Sequence, residues 1–266
     1  MPRGGCKLVH DLIKDLSDSE GTVGEVYESL GYGKFEIIEH SNSTSVRIRF
    51  LKTGYESVVS YYAAKHGKVR DNLAPTIFGV GFTGGEPTTL GDGKLLSIYN
   101  TWRSMLDRCY NEKLWLKKPT YKGCKVSEEF HNFSYFKNWC EKQIGYGNKG
   151  WHLDKDILVK GNKIYSEDTC CFVPREINSL LCYSQASKGH LPVGVRWDDK
   201  ARKFAAQMSK NGRRKFLGYF NSEGEAFHAY KIAKECHIKS LAGVYKDRID
   251  PKVYNALMNW VIEIED

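Results

Sequence analysis

The stretch from Trp151 to Leu181 constrains the fold more than any other, because its apolar pattern changes period halfway along. Leu153, Ile157 and Val159 lie two or four residues apart, the spacing of a half-buried strand. Lys160-Gly161-Asn162-Lys163 supplies turn residues, and Ile164 to Val173 reads as the return strand. Pro174 suits the first turn of a helix, where its missing N–H is no loss. Ile177, Leu180 and Leu181 then form the apolar stripe of that helix. The expected local structure is a hairpin followed by a helix. It carries a carboxylate, Asp154, on the first strand, and Asn178 on the helix 24 positions later. Two readings of this pair stand open on the residues alone. Either the two side chains meet across the unit, or Asp154 caps a turn and Asn178 faces water.

The stretch resembles the His-Asn-His (ββα-metal) nuclease motif, in the variant form of phage homing endonucleases. In that family an Asp and a helix Asn hold one divalent cation between hairpin and helix. The resemblance implies Asp154 and Asn178 as ligands of Mg²⁺ or Mn²⁺, hard cations that take oxygen ligands. The position that holds the water-activating His in the family is Lys155 here, and the motif's middle Asn corresponds to Thr169. The resemblance extends over about 97–183. It is carried by Trp102-Arg103-Ser104-Met105-Leu106-Asp107-Arg108-Cys109, Tyr121-Lys122-Gly123-Cys124 and Leu153-Asp154-Lys155-Asp156-Ile157.

An ammonium has no lone pair with which to take a proton. Lys155 is therefore expected to bind the scissile phosphate, with His152 or Asp156 as the proton acceptor. Strand alternation puts His152, Asp154 and Asp156 on one face and turns Lys155 to the other. His152 is the better base near neutral pH.

Charge points to the partner. The chain carries +8, and between Lys188 and Arg248 there are 14 Lys or Arg against 6 Asp or Glu, an excess equal to the whole net charge. A basic block in an otherwise balanced chain suits a polyanion. Within it, Val193 to Trp197, Lys203 to Met208 and Lys215 to Phe220 read as strands, with Asn211-Gly212 as a hairpin turn. Ser222 to Glu225 is a capping box, and Ala226, Ala229, Tyr230, Ala233 and Cys236 share a face of the helix it opens.

Gly194-Val195-Arg196, Lys203-Phe204-Ala205-Ala206, Leu217-Gly218-Tyr219-Phe220, Glu225-Ala226 and Ala229-Tyr230 together are similar to the plant ethylene-response-factor (APETALA-like) DNA-binding domain, which is also found appended to phage homing nucleases. There the sheet enters the major groove of double-stranded DNA. The resemblance implies DNA contacts from Arg196 and Lys203, and the basic, outward strand positions add Trp197, Gln207, Arg213, Arg214 and Lys215 as expected DNA-binding residues. The loop Trp197–Arg202 is one residue longer than in the family and carries Asp198 and Asp199.

Elsewhere the patterns are plainer. Val23 to Phe82 alternates with period two between glycine turns and predicts a small β barrel of the SH3-like kind. On one of its strands, Arg47 and Arg49 face water or phosphate. Gly84 to Gly93 predicts a linker. Ile98, Trp102, Met105, Leu106 and Cys109 form one helical stripe, and Phe130, Phe133, Phe136, Trp139 and Cys140 another. Asp250-Pro251 opens a last amphipathic helix with Val253, Leu257, Trp260, Val261 and Ile264.

Eight cysteines without a Cys-x-x-Cys pair argue for buried thiols rather than structural zinc. No apolar run reaches bilayer length, so no membrane partner is expected; with double-stranded DNA as the expected partner, no small-molecule substrate is expected either. The sequence thus predicts an α+β, modular protein. Its parts are a β barrel (1–85), a helical region with the nuclease motif (95–184), a three-stranded sheet plus helix that binds DNA (188–248) and a C-terminal helix (250–266). The expected function is a site-specific DNA endonuclease, monomeric and cytoplasmic in a host cell. The alternative is a non-cleaving DNA-binding regulator.

Overall fold

The computed structural model describes residues 23–181, 190–210 and 212–264. The architecture is mixed α+β, with several small sheets. The described residues divide into two units. One runs up to Asp107 and includes His131–Phe136; the other holds Arg108–Phe130 and Lys137 onward. Residues 1–22 of the expected barrel part, 182–189 where the expected nuclease and DNA-binding parts meet, and Asn211 of the expected turn lie outside the described residues.

The first unit opens with four antiparallel strands: β1 (Val26–Ser29), β2 (Gly33–Asn42), β3 (Ser45–Phe50) and β4 (Glu56–Val59), in that spatial order. Phe35, Ile37, Val46, Ile48 and Phe50 alternate onto one face and are fully or almost fully buried. Helix α1 (Tyr61–Lys65) follows at once, and Ala64 fills that face. The Ser60 hydroxyl caps α1 by accepting the Ala63 N–H at 3.2 Å.

The predicted closed barrel does not form. β1 and β4 remain the edges of an open sheet. The four-residue β4 runs straight into α1, and from His66 to Leu96 the chain makes only isolated bridges, so among the described residues no further strand is available to close the sheet. Arg47 and Arg49 on the outer face are held in ion pairs: Arg47 with Glu39 at 3.3 Å, and Arg49 with Glu56 at 2.7 Å and Glu36 at 3.6 Å.

The start of the predicted linker is tied down. The Phe82 N–H donates to His131 O at 3.0 Å, the Phe133 N–H donates to Phe82 O at 2.9 Å, and the Gly84 N–H donates to Asn72 O at 3.0 Å. The rest of the predicted linker, continuing to 95 around the Leu90–Gly93 turn, is mostly exposed chain from 87 onward.

Next come α2 (Ser97–Tyr110), α3 (Glu112–Lys117), the short strand β5 (Lys125–Val126), α4 (Glu128–His131) and α5 (Phe133–Cys140). In the first unit Trp102 is fully buried and packs 5.4 Å from Phe133 and 5.6 Å from Tyr99. In the second unit Phe130, Trp139 and Phe172 form the corresponding stack, at 4.9 and 6.3 Å.

The second unit then runs β6 (Trp151–Asp154), β7 (Ile164–Tyr165), β8 (Cys171–Pro174), α6 (Arg175–Leu180), β9 (Val195–Asp198), β10 (Lys203–Lys210), β11 (Arg213–Phe220), α7 (Glu223–Tyr245) and α8 (Pro251–Met258). β7 lies parallel to β5. One core serves the whole C-terminal half of this unit. Ile157, Val173, Ile177 and Leu180 from the hairpin and α6 pack with Met208, Tyr230, Ile238, Val253, Leu257 and Trp260.

Helix α7 is 23 residues long and exceeds its amphipathic sequence stripe. Its buried line is Ala226, Tyr230, Lys234, Ile238 and Ala242, whereas Cys236 is exposed. Four-residue spacing keeps that line on one side of the helix, where the sheet, α6 and α8 all meet it. Helix α8 stops at Met258. Trp260 and Ile262 beyond it are buried in an extended strap, while Val261 and Ile264 are exposed.

Candidate functional site

The hairpin expected between 151 and 173 is shorter and more elaborate than its pattern. β6 pairs antiparallel with β8, so His152 lies opposite Val173 and Asp154 opposite Cys171. Ile164–Tyr165 does not belong to the return strand; it leaves to pair with β5. The reason lies in Asp154 itself. Its Oδ1 accepts the N–H of Asp156 at 2.7 Å and of Ile157 at 2.9 Å, a side-chain turn that ends β6 at that residue.

Strand alternation therefore holds for His152 and Asp154 but not for Asp156. His152 is exposed, on the same strand face as Asp154. Burial pushes the Asp154 carboxyl above the usual carboxylate range, against the pull of its two backbone donors and of Lys155. Both donors bind Oδ1, which leaves Oδ2 without a hydrogen-bond partner among the described residues.

Lys155 is 5% exposed, a buried ammonium. It donates to Asp156 Oδ1 at 2.6 Å and to Asn162 O at 2.7 Å, and lies 5.7 Å from the centre of the Tyr165 ring. Tyr165 is in turn reached by Arg108 at 3.2 Å. Asn162 closes the same loop, donating to Lys155 O at 2.8 Å and Ile164 O at 2.6 Å. Binding the scissile phosphate through Lys155 would require these bonds to break. Its partner Asp156 is engaged in the same way. Thr169, at the motif's middle position, also serves the loop: its hydroxyl donates to Ile164 O at 2.7 Å.

Asn178 is half-buried in α6, which follows β8 directly and packs against β6. Among the described residues no group of three or more His, Cys, Asp or Glu side chains is placed to hold a metal ion. A two-ligand cation site of one carboxylate and one amide is a different arrangement, and of its two expected members Asp154 offers an open oxygen. A desolvated carboxylate with one open oxygen gains from a hard cation, because the cation offsets the burial that raises its pKa.

Thiols surround this core. Burial pushes Cys109 and Cys170 up to about 12. Cys140 and Cys171 rise for the same reason, so all four are neutral near pH 7.

The candidate DNA face lies on the sheet of order β11-β10-β9. Cross-strand partners share a face, and the register puts Arg196 opposite Ala205 and Ala205 opposite Tyr219. Alternation along β10 adds Lys203, Gln207 and Ser209 to this face, with Phe216 and Arg214 as partners of the last two. A bulge at Leu217 and Gly218 shifts the register. It brings Phe216 and Tyr219, three apart in sequence, to one side with rings 4.9 Å apart. The two rings are 52% and 46% exposed.

The face thus gathers Arg196, Lys203, Gln207 and Arg214 with two aromatics outside the predicted set. Trp197, Arg213 and Lys215 fall to the opposite, helix-facing side of the register, where Trp197 packs edge-on against Phe204 at 5.0 Å. The sequence signal for Phe216 and Tyr219 is the glycine at 218, whose φ of 147° marks the irregular strand. Arg196 is paired with Asp198 at 3.0 Å, and Tyr219 donates to the same carboxylate at 3.3 Å. Asp198 is held below the usual carboxylate range by the Ala201 N–H and by Arg196.

Among the described residues no helix is long and apolar enough to cross a membrane. No family model, no curated protein and no solved structure matches the chain.

Proposed function

We propose that the chain is a DNA endonuclease of the ββα-metal type that cleaves double-stranded DNA and finds its site through the β9–β11 sheet. One observation carries the reading. A carboxylate with an open oxygen, Asp154 Oδ2, sits in a desolvated position on the first strand of a hairpin that feeds directly into the helix bearing Asn178.

Asp154 and Asn178 would hold Mg²⁺ or Mn²⁺. Such an ion supplies Lewis-acid stabilisation of charge on the phosphoryl and leaving oxygens. Asp154 Oδ1 stays with its two backbone donors, which fixes the carboxylate plane and aims Oδ2. His152, exposed on the same strand face, takes the proton from the attacking water as its imidazole. Lys155 and Asp156 act as a fastening of the loop rather than at the phosphate, and Arg196, Lys203, Gln207 and Arg214 meet the duplex.

The second reading, a non-cleaving DNA-binding regulator, is favoured by the buried Lys155: the family's base position is filled by a cation that cannot accept a proton. A plasmid-nicking assay with Mg²⁺, Mn²⁺ or EDTA separates the two. Cleavage that needs the cation and is abolished in Asp154→Ala supports the nuclease. DNA binding without cleavage under any divalent cation supports the regulator.

A further inference from the structure

The largest run of unpaired positive charge among the described residues outside the β9–β11 segment lies on α3 and the turns after it. Lys113, Lys117, Lys118, Lys122 and Lys125 fall within 13 positions that contain no acidic residue. All five are exposed, and none has an ion-pair partner among the described residues. That distinguishes them from Arg47, Arg49 and Arg196, each of which is held by a carboxylate.

In the middle of the run stands Leu116, 87% exposed, more than any other described large hydrophobic residue. Lys113, Leu116 and Lys117 are related by three and four positions, so one side of α3 presents a leucine between two ammoniums.

The ridge is rigidly mounted. The Asn111 side chain caps α3, and the neighbouring Trp115 is anchored by its Nε1 to Arg108 O at 2.9 Å. The turn Pro119–Tyr121 is pinned by Lys163, whose Nζ donates to Thr120 O at 2.9 Å, and Arg108 lies 5.7 Å from the Tyr121 ring. β5 bears Lys125 beside Ile164 in the loop that Lys155 fastens. The ridge therefore belongs to the same unit as Asp154 and is joined to its loop.

We infer that this ridge is a second binding surface for duplex DNA, separate from the sheet. The lysines lie along the sugar–phosphate backbone, and Leu116 is covered by the wall of the minor groove. Ammoniums without acidic neighbours match a phosphate track, and a leucine flanked by lysines matches the apolar wedges that minor-groove proteins use. The inference rests on the DNA-binding reading proposed above. It adds that register on the duplex is set at two places, by the sheet and by α3.

The test is the salt dependence of binding of the full chain to a random-sequence duplex, followed by fluorescence anisotropy. The triple variant Lys117→Gln/Lys118→Gln/Lys122→Gln should lower the slope of log affinity against log salt by about 0.9 for each phosphate left without its lysine. Leu116→Ala should weaken binding by about tenfold with the slope unchanged. The sheet variant Arg196→Gln/Lys203→Gln/Arg214→Gln serves as comparison. If the sheet variant has a reduced slope while the ridge variants bind like the parent, the ridge inference is overturned and the DNA-binding reading stands. If the parent binds no duplex, both fall together. A reduced slope in the ridge variant alone would keep the ridge and overturn the sheet as the reader. All these side chains are exposed, and coincident thermal unfolding curves confirm that a change in slope is not a change in fold.

Discussion

Under the proposed function Asp154 has two jobs whose demands conflict. Its Oδ1 ends a strand, and its burial disfavours the charge that a cation site needs. The folded carboxyl lies above its unfolded value, so the penalty is absent below the unfolded pKa. It sets in as pH rises through that value and is complete above the folded one. Asp154→Asn keeps an oxygen for the two N–H donors and removes the charge. It should melt at a higher temperature than the metal-free parent at neutral pH, with the gain vanishing in acid, while abolishing cleavage. Equal melting at both pH values would deny the burial effect. At the neighbouring position, Lys155→Met would leave Asn162 O unpaired but strand no buried anion, because Asp156 is half exposed. The expected loss is about 1–3 kcal/mol in denaturant unfolding. The salt slope of DNA binding should not move, since this ammonium faces inward.

At the level of single elements, the β9–β11 sheet depends on how closely α7 approaches it. Gly194 has φ +79°, and a Cβ there would lie 2.1 Å from a Tyr230 ring carbon. Gly194→Ala combines backbone strain with overpacking and should cost about 1–3 kcal/mol. It should also lower DNA affinity, because Val195 and Arg196 follow directly on β9. Helix α7 begins with a full capping box, in which the Ser222 hydroxyl accepts the Glu225 N–H at 3.2 Å. Ser222→Ala should cost about 1 kcal/mol by the same unfolding measurement. A Gly194 variant as stable as the parent would mean that α7 can retreat from the sheet.

The largest consequences belong to the molecule as a whole. Lys234 is buried on α7 and donates to Leu180 O at 2.7 Å, the last residue of α6. Lys160, from the Asp154 loop, donates to Val261 O at 2.8 Å in the C-terminal strap, and Lys231 of α7 to Ile262 O at 2.6 Å. Hairpin, sheet, α7 and strap share one core, so they should melt in a single cooperative transition. Removing residues 188–266 would expose Ile157, Val173, Ile177 and Leu180, and the remaining hairpin should lose its fold along with the proposed cation site. Recovery of a folded, cation-binding 1–187 fragment would refute the shared core. Limited proteolysis should cut the intact chain first at 87–95, around the Leu90–Gly93 turn.

Local chemistry was legible in the sequence wherever it was decided by neighbours along the chain. The β10–β11 hairpin, the Ser222–Glu225 capping box, the alternation of β2 and β3, and the buried stripe Trp102-Met105-Leu106 follow from period and turn residues, and the structure contains elements at each. Decisions between distant residues were not legible. Ile164 and Tyr165 look like a return strand, but the edge available to them is Lys125–Val126, far back in the chain. The barrel pattern found no closing strand among the described residues. The length of α7 was set by α6 and α8 packing on it, and the side of the sheet that Arg213, Arg214 and Lys215 face was set by a bulge at Leu217. Lys155 is the sharpest case. Its charge and place in the motif are read from the sequence, but only the folded loop of Asp156, Asn162 and Tyr165 turns it from a phosphate ligand into a buried fastening. Sequence specifies the groups and their local periods. Tertiary structure alone decides which of them are desolvated, and that burial sets what a charge can do.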